Sequence, residues 1–142
     1  MGTQLAVFVE NKPGKLEAIT RLLADEGVNI RGVAMASGGQ FGVLKLLVSD
    51  PARAHEALRR GHFTVSERKV EVVLVEDRPG ALHELLALLA SRGINIEDCY
   101  GIAFEEGQRA AIVLDVDRFP ETEKVLKEHG LRLLSDREIY AL

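Results

Sequence analysis

The residues Asn11, Pro13 and Gly14 stand between an apolar run, LAVFVE, and a segment of helical period. That order has chemical content. The first turn of a helix has backbone N–H groups with no partner inside the helix, and the macrodipole places its positive end there. Such a spot favours a carboxylate or another anion. Gly14 has no side chain to block close approach to this backbone. Asn11 brings an amide that both donates and accepts. Asn29 follows Gly27 at the far end of the same helical segment and starts the next extended run. Together these groups offer donors for a carboxylate and acceptors for an ammonium, the two charges of a zwitterion. The same residues also have a structural use, since Pro-Gly makes a tight turn and Asn satisfies loop backbone. Spacing alone leaves both uses open.

The pattern is written twice. With an offset of 66, residues 7–30 match residues 73–96 at 12 of 24 positions, including Pro13/Pro79, Gly14/Gly80, Gly27/Gly93, Asn29/Asn95 and Ile30/Ile96. Asn11 is the exception that touches the chemistry: Asp77 takes its place. A carboxylate there has no hydrogen to donate and repels a ligand carboxylate, although it can hold an ammonium. Two repeats are too few for a solenoid, so the chain is expected to be a duplicated domain, residues 1–68 and 69–142.

The elements that must position these residues follow from periodicity. LAVFVE and KVEVVLVE are β-rich runs punctuated by Pro-Gly. Leu16, Ile19, Leu22 and Leu23 then share one helix face, as do Leu82, Leu85, Leu86 and Leu89. Gly27 and Gly93 stand where a left-handed helix terminus is expected. Two extended runs joined by SGGQ follow in the first copy, and by EEGQ in the second. A second helix, PARAHEALRR or PETEKVLKEH, opens on proline and stops at glycine. A last strand closes each copy, HFTVSE or LRLLSDREIYA. The order βαββαβ, twice, predicts an α+β fold: two ferredoxin-like sandwiches, each an antiparallel sheet with helices on one face. Only Glu67, Arg68 and Lys69 separate the copies, which predicts rigid packing without a flexible linker.

Composition narrows the function. The formal net charge is −4, with nine Lys/Arg against seven Asp/Glu in residues 1–68 and nine against fifteen in residues 69–142. Neither half carries the basic field that a phosphate backbone requires, so no nucleic-acid partner is expected. No apolar run reaches the length of a membrane span, and the N-terminus lacks the features of a secretory signal, so a cytoplasmic location is expected. The single cysteine, Cys99, excludes an internal disulfide and a thiolate metal cluster and reads as a small strand residue. His55, His62, His83 and His129 lack metal-ligand spacing, so neither metal nor cofactor is expected.

The run Asn11-x-Pro13-Gly14-x-Leu16 with Gly27-Val28-Asn29-Ile30 resembles the ACT domain, a ferredoxin-like regulatory module of amino-acid-metabolism enzymes. Asp77-x-Pro79-Gly80-x-Leu82 with Gly93-Ile94-Asn95-Ile96 is similar, so the resemblance spans the chain as two tandem copies. It implies binding of a free amino acid at the interface between paired ACT units, often joined edge to edge by their second strands. Asn11, Gly14, Asn29 and Ile30 would form one half-site, and Asp77, Gly80, Asn95 and Ile96 the other. Val33 and Tyr100 would supply the facing wall. The resemblance further implies a partner metabolic enzyme under regulation, and the edge strands suggest a homodimer.

Three other uses of such a chain make different demands on its residues. A catalyst needs a nucleophile–base pair, a carboxylate pair or a metal cluster, and no such arrangement is legible, so no catalytic residue is expected. An RNA-binding sheet stacks bases on strand aromatics, for which only Phe41 and Phe104 stand near suitable positions. A pure interaction module, in which the Pro-Gly turns are structural and no ligand binds, is the main competitor. Lys15 reads as a solvated lysine because Ala81 replaces it in the second copy. Glu105 and Glu106 read as solubilising loop residues.

Overall fold

A computed structural model of the chain describes residues 1–102 and 108–142. The expectations attached to Phe104, Glu105 and Glu106 lie outside the described residues. The chain divides into two compact units. The first comprises Thr3–Arg68 with Ile139–Ala141, and the second Lys69–Glu138 with Met1–Gly2 and Leu142.

The first unit contains β1 (Gly2–Glu10), α1 (Lys15–Asp25), β2 (Ile30–Gly38), β3 (Phe41–Val48), α2 (Pro51–Arg60) and the opening residues of β4 (Thr64–Glu76). Strand β3 lies between β1 and β2 and is antiparallel to both. Alternation decides which side is covered. Leu5, Val7 and Val9 of β1 and Leu44, Leu46 and Val48 of β3 are buried on one face. Against them pack Ile19 and Leu23 of α1 and Ala54 and Leu58 of α2. Helix α2 starts sharply because Asp50 Oδ1 accepts a hydrogen bond from the Arg53 N–H at 3.1 Å and Pro51 holds the first helical position. Gly39 and Gln40 alone join β2 to β3, and Gly39 turns with φ 75°.

The second unit repeats the order with β4 from Lys69 onward, α3 (Ala81–Ser91), β5 (Ile96–Ile102), β6 (Arg109–Val116), α4 (Phe119–Glu128) and β7 (Arg132–Leu133). Strand β6 lies between β5 and β4, and β7 pairs with β4 at Val73 and Leu74, all antiparallel. Its core joins Val73 and Val75, Leu85 and Leu89 of α3, Ile112, Leu114 and Val116 of β6, and Val125 and Leu126 of α4. Both units are thus α+β, antiparallel strands with helices on one face.

Two details differ from the sequence expectation, and a third goes beyond it. Glu67, Arg68 and Lys69 are strand residues inside β4 rather than a connector. The closing segment LRLLSDREIYA supplies only a two-residue strand; Asp136–Tyr140 then form a short helix, α5. The Ser135 hydroxyl explains the change, because it accepts a hydrogen bond from the Glu138 N–H at 3.2 Å and starts a helical turn. Leu16 and Leu82 belong to the apolar period of their helices but are 41% and 42% exposed. They sit one turn before the buried Ile19 and Leu85, at the helix starts.

Candidate functional site

At the end of β1 the chain bends through Asn11–Gly14 into α1. The Asn11 N–H donates to the Gln40 carbonyl at 2.8 Å, and its side-chain amide donates to the Gly39 carbonyl at 3.0 Å. Asn11 therefore ties the Pro-Gly turn to the β2–β3 turn. Among the described residues its Oδ1 and remaining amide hydrogen have no partner, and the position is exposed. Gly14 is the residue before the helix, with φ 85°, a left-handed conformation that suits glycine. A Cβ built there would meet nothing within 4 Å, so the turn opens on free space.

Helix α1 has no side-chain cap. Among the described residues, no side chain competes for the N–H groups of its first turn. The second copy is built alike. The Asp77 N–H donates to the Gln108 carbonyl at 2.6 Å, Gly80 has φ 89°, and α3 also lacks a side-chain cap. Helix α2 is capped by Asp50, whereas α1, α3 and α4 lack a side-chain cap; the two Pro-Gly helices add a left-handed glycine before a donor-rich start, where a ligand anion can bind.

The charges around the two turns differ. In the first, Glu10 lies 2.9 Å from Lys12 Nζ and 3.8 Å from Lys15 Nζ. The hydrogen bond from Lys12, and then its charge, hold the Glu10 carboxyl below its usual range. Lys15, expected as a solvated lysine, thus keeps loose company with Glu10. In the second turn Arg78 is forked between Glu76 at 2.6 Å and Glu84 at 2.8 Å. Those two carboxylates hold its proton more firmly than usual, Glu84 first.

The other expected site residues lie elsewhere in their units. The Asn29 N–H donates to Ser49 Oγ at 2.9 Å, and the Ser49 N–H returns a bond to the Asn29 carbonyl at 2.8 Å. Asn95 does the same with Asp117, and its side chain also donates to Glu97 at 3.1 Å. Ile30 and Ile96 open their strands opposite Val48 and Val116, each at a register shift. Glu10, next to Asn11, pairs instead with Phe41 at the other end of β3. Phe41 and Val48 are seven steps apart along one strand, roughly 23 Å. Each unit therefore joins Asn11 with Gly14, or Asp77 with Gly80, and keeps Asn29–Ile30, or Asn95–Ile96, at its far end. Val33 is 59% exposed on β2, and Tyr100 lies on β5, where burial pushes its phenol well above the usual range.

Glu10 and Glu76 join the turns without being among the expected site residues. They are identical in both copies and sit beside the turns, and that identity was the available signal. Among the described residues, no group of three or more His, Cys, Asp or Glu could hold a metal ion, and no helix is long and apolar enough to cross a membrane.

A family model described as an ACT domain pair matches residues 1–142. Among solved structures, the chain is similar to protein BT0572 from Bacteroides thetaiotaomicron, with 35% identity, TM-score 0.93, and coverage of 99% of this chain and 96% of that one. It also has the fold of the regulatory subunit of aspartate kinase from Thermus thermophilus, solved in a ligand-free form. That likeness has 16% identity, TM-score 0.65, and coverage of 89% and 91%. The corresponding subunit from Thermus flavus gives 20% identity, TM-score 0.62 and 88% coverage of each chain. No curated protein matches the chain.

Proposed function

Because the chain belongs to the family of ACT domain pairs, we propose that it is a non-catalytic regulatory protein that binds a free amino acid and transmits that binding to a partner enzyme. The observation that carries this reading is the pair of uncapped helix starts. Gly14 and Gly80 hold left-handed turns open to space or nearly so, and no side chain occupies the first-turn N–H groups of α1 or α3. The ligand carboxylate would lie on those N–H groups. The ammonium would meet Asn11 Oδ1 at the first turn and the Asp77 carboxylate at the second.

Asn11 and Asn29 are too far apart within one unit to hold the same small molecule. A ligand that touches both therefore bridges the Pro-Gly end of one ACT unit and the Gly-x-Asn-Ile end of an opposing one. The resemblance grouped Asn11, Gly14, Asn29 and Ile30 in one half-site; the bridging arrangement divides that set between two units and makes the site sensitive to how units pair. Regulation follows from linkage, because a ligand that prefers one arrangement shifts the population toward it by its difference in affinity. Aspartate kinase, whose regulatory subunits share this fold, illustrates the class of partner. A homodimer acting in the cytoplasm completes the proposal.

Thermal unfolding and calorimetry against each of the common amino acids test it. One of them should raise the melting temperature by mass action. Asn11→Ala and Asn29→Ala should each remove the response while leaving the fold intact. An absence of response to every amino acid at millimolar concentration would instead favour a ligand-free interaction module. Exposed Leu16, Val33 and Met35 would then be its contact residues.

A further inference from the structure

The second unit contains a groove of about 490 Å³ between α3 and the turn that joins α4 to β7. We propose that this groove binds a small monocarboxylate with a compact apolar body, using Arg109 as its carboxylate receptor. The volume is ordinary for a small-molecule site. The floor is apolar, formed by Val75 at the end of β4, Leu85 and Leu88 on α3, and Leu131. The rim carries three guanidinium groups, Arg78, Arg109 and Arg132.

Two of the three are engaged. Arg78 is shared by Glu76 and Glu84, and Arg132 Nη2 lies 2.6 Å from Glu138. The Arg109 side chain makes no hydrogen bond or ion pair among the described residues. The charges fix the ligand class. Arg78 with its two carboxylates carries one net negative charge, and Arg132 is held by Glu138. Arg109 is left as a single cation, and its planar fork matches one carboxylate. A dianionic phosphate would also face Glu76 and Glu84, which disfavour it.

Comparison with the first unit shows that the groove is particular to the second copy. Glu10 pairs across the strands with Phe41, as Glu76 pairs with Arg109. Phe41 stacks on Phe8 with ring centroids 5.3 Å apart, and the corresponding hollow has about 210 Å³. In the second copy Leu74 stands in place of Phe8 and Arg109 in place of Phe41. The aromatic plug is gone and a cation has replaced it, in the half of the chain where acidic residues outnumber basic ones. The groove contains neither Asp77 nor Asn95, but Arg78, Ala81 and Glu84 border both it and the start of α3, so it adjoins the second turn site and is told apart from it by Arg109.

Two-dimensional NMR titration of the whole chain with 4-methylpentanoate, its neutral amide and leucine tests the assignment. The acid should shift the resonances of Arg109, Leu85 and Leu131 saturably. The amide should bind about tenfold more weakly, as should the acid to Arg109→Gln. Arg109→Lys should recover part of the affinity, and Asn11→Ala should leave it unchanged. Equal binding of acid and amide, binding indifferent to Arg109→Gln, or no saturable shift at tens of millimolar would each overturn the proposal. Tighter binding of leucine than of the acid would overturn the monocarboxylate class. Groove binding is read by Arg109→Gln, and the turn sites by Asn11→Ala and Asp77→Asn, so failure of one site leaves the other separately testable.

Discussion

Asn11 and Asn29 bracket the two ends of strand β3: Asn11 bonds the Gly39–Gln40 turn before Phe41, and Asn29 exchanges bonds with Ser49 after Val48. One face of one unit cannot bring them together. Each turn can therefore be altered without touching the Asn-Ile end, which makes the proposed chemistry separable by mutation.

The donor at the turn is the first point to test. Asp77→Asn gives the second turn the amide that the first possesses and removes a negative charge from the turn that precedes α3. Affinity for an amino-acid carboxylate at that turn should rise several-fold, about 3- to 10-fold. Asn11→Asp should lower it at the first turn. Calorimetry with the responsive amino acid measures both, and unchanged affinity in both variants would place the carboxylate elsewhere.

The turn's geometry should be costly to change even without ligand. Gly14 has φ 85°, and an added Cβ there meets no neighbour, so Gly14→Ala is a test of backbone strain alone. It should destabilise the fold by about 1–2 kcal/mol in urea unfolding, with Gly14→Asn milder because Asn tolerates the left-handed region. A neutral Gly14→Ala would mean that the turn relaxes to another conformation.

Helix α3 separates core from surface within one apolar row. Leu85 is 2% exposed and packs in the second core, whereas Leu82 is 42% exposed. Leu85→Ala should cost about 2–5 kcal/mol through lost burial and the cavity left behind. Leu82→Ala should stay within about 0.5 kcal/mol. Chemical denaturation of both variants checks the ordering, and similar losses would show that Leu82 is covered in solution.

Glu71 should give the fold a pH dependence of unusual sign. Its side chain is fully buried in β4, neither carboxyl oxygen has a hydrogen-bond partner among the described residues, and the Met1 ammonium lies 3.5 Å away. Burial, the largest influence, raises its pKa to about 7; the Met1 ammonium opposes the rise, and Glu123 adds to it. A carboxyl whose pKa is higher in the folded state favours folding when protonated. Its contribution is complete below the unfolded value near 4.5 and is lost as pH rises through about 7. Glu71→Gln should flatten that slope, so that the variant gains on the parent between pH 5 and pH 8. Parallel stability profiles would refute the assignment.

Much of the architecture was legible in the chain. The offset of 66 revealed the duplication, and the change from alternating to helical period at Pro13-Gly14 and Pro79-Gly80 located the first helix of each copy. Pro51 and the glycine at the end of α2 marked the second helix. The last strand of the second copy is shorter than expected: LRLL has strand composition and supplies β7, but the Ser135–Glu138 capping pair that starts α5 is a signal spanning only four residues. The exposure of Leu16 and Leu82 is decided beyond the helix itself. Periodicity tells which side of a helix is apolar, but not how far along its axis the sheet extends.

The sequence by itself determined the repeat, the order of elements and the chemistry of each turn, because these depend on residues close in the chain. Backbone φ preference, capping and side-chain period are local properties. Only the tertiary structure decided which local features meet. It placed Asn11 against Gly39, held Asn29 a strand's length away, and buried Glu71 where its charge is disfavoured. It also set Arg109 at the position of Phe41, over an apolar floor drawn from β4, α3 and the turn after α4. Strand register and the packing of helices onto sheets fix those relations, and both depend on contacts between residues far apart in sequence.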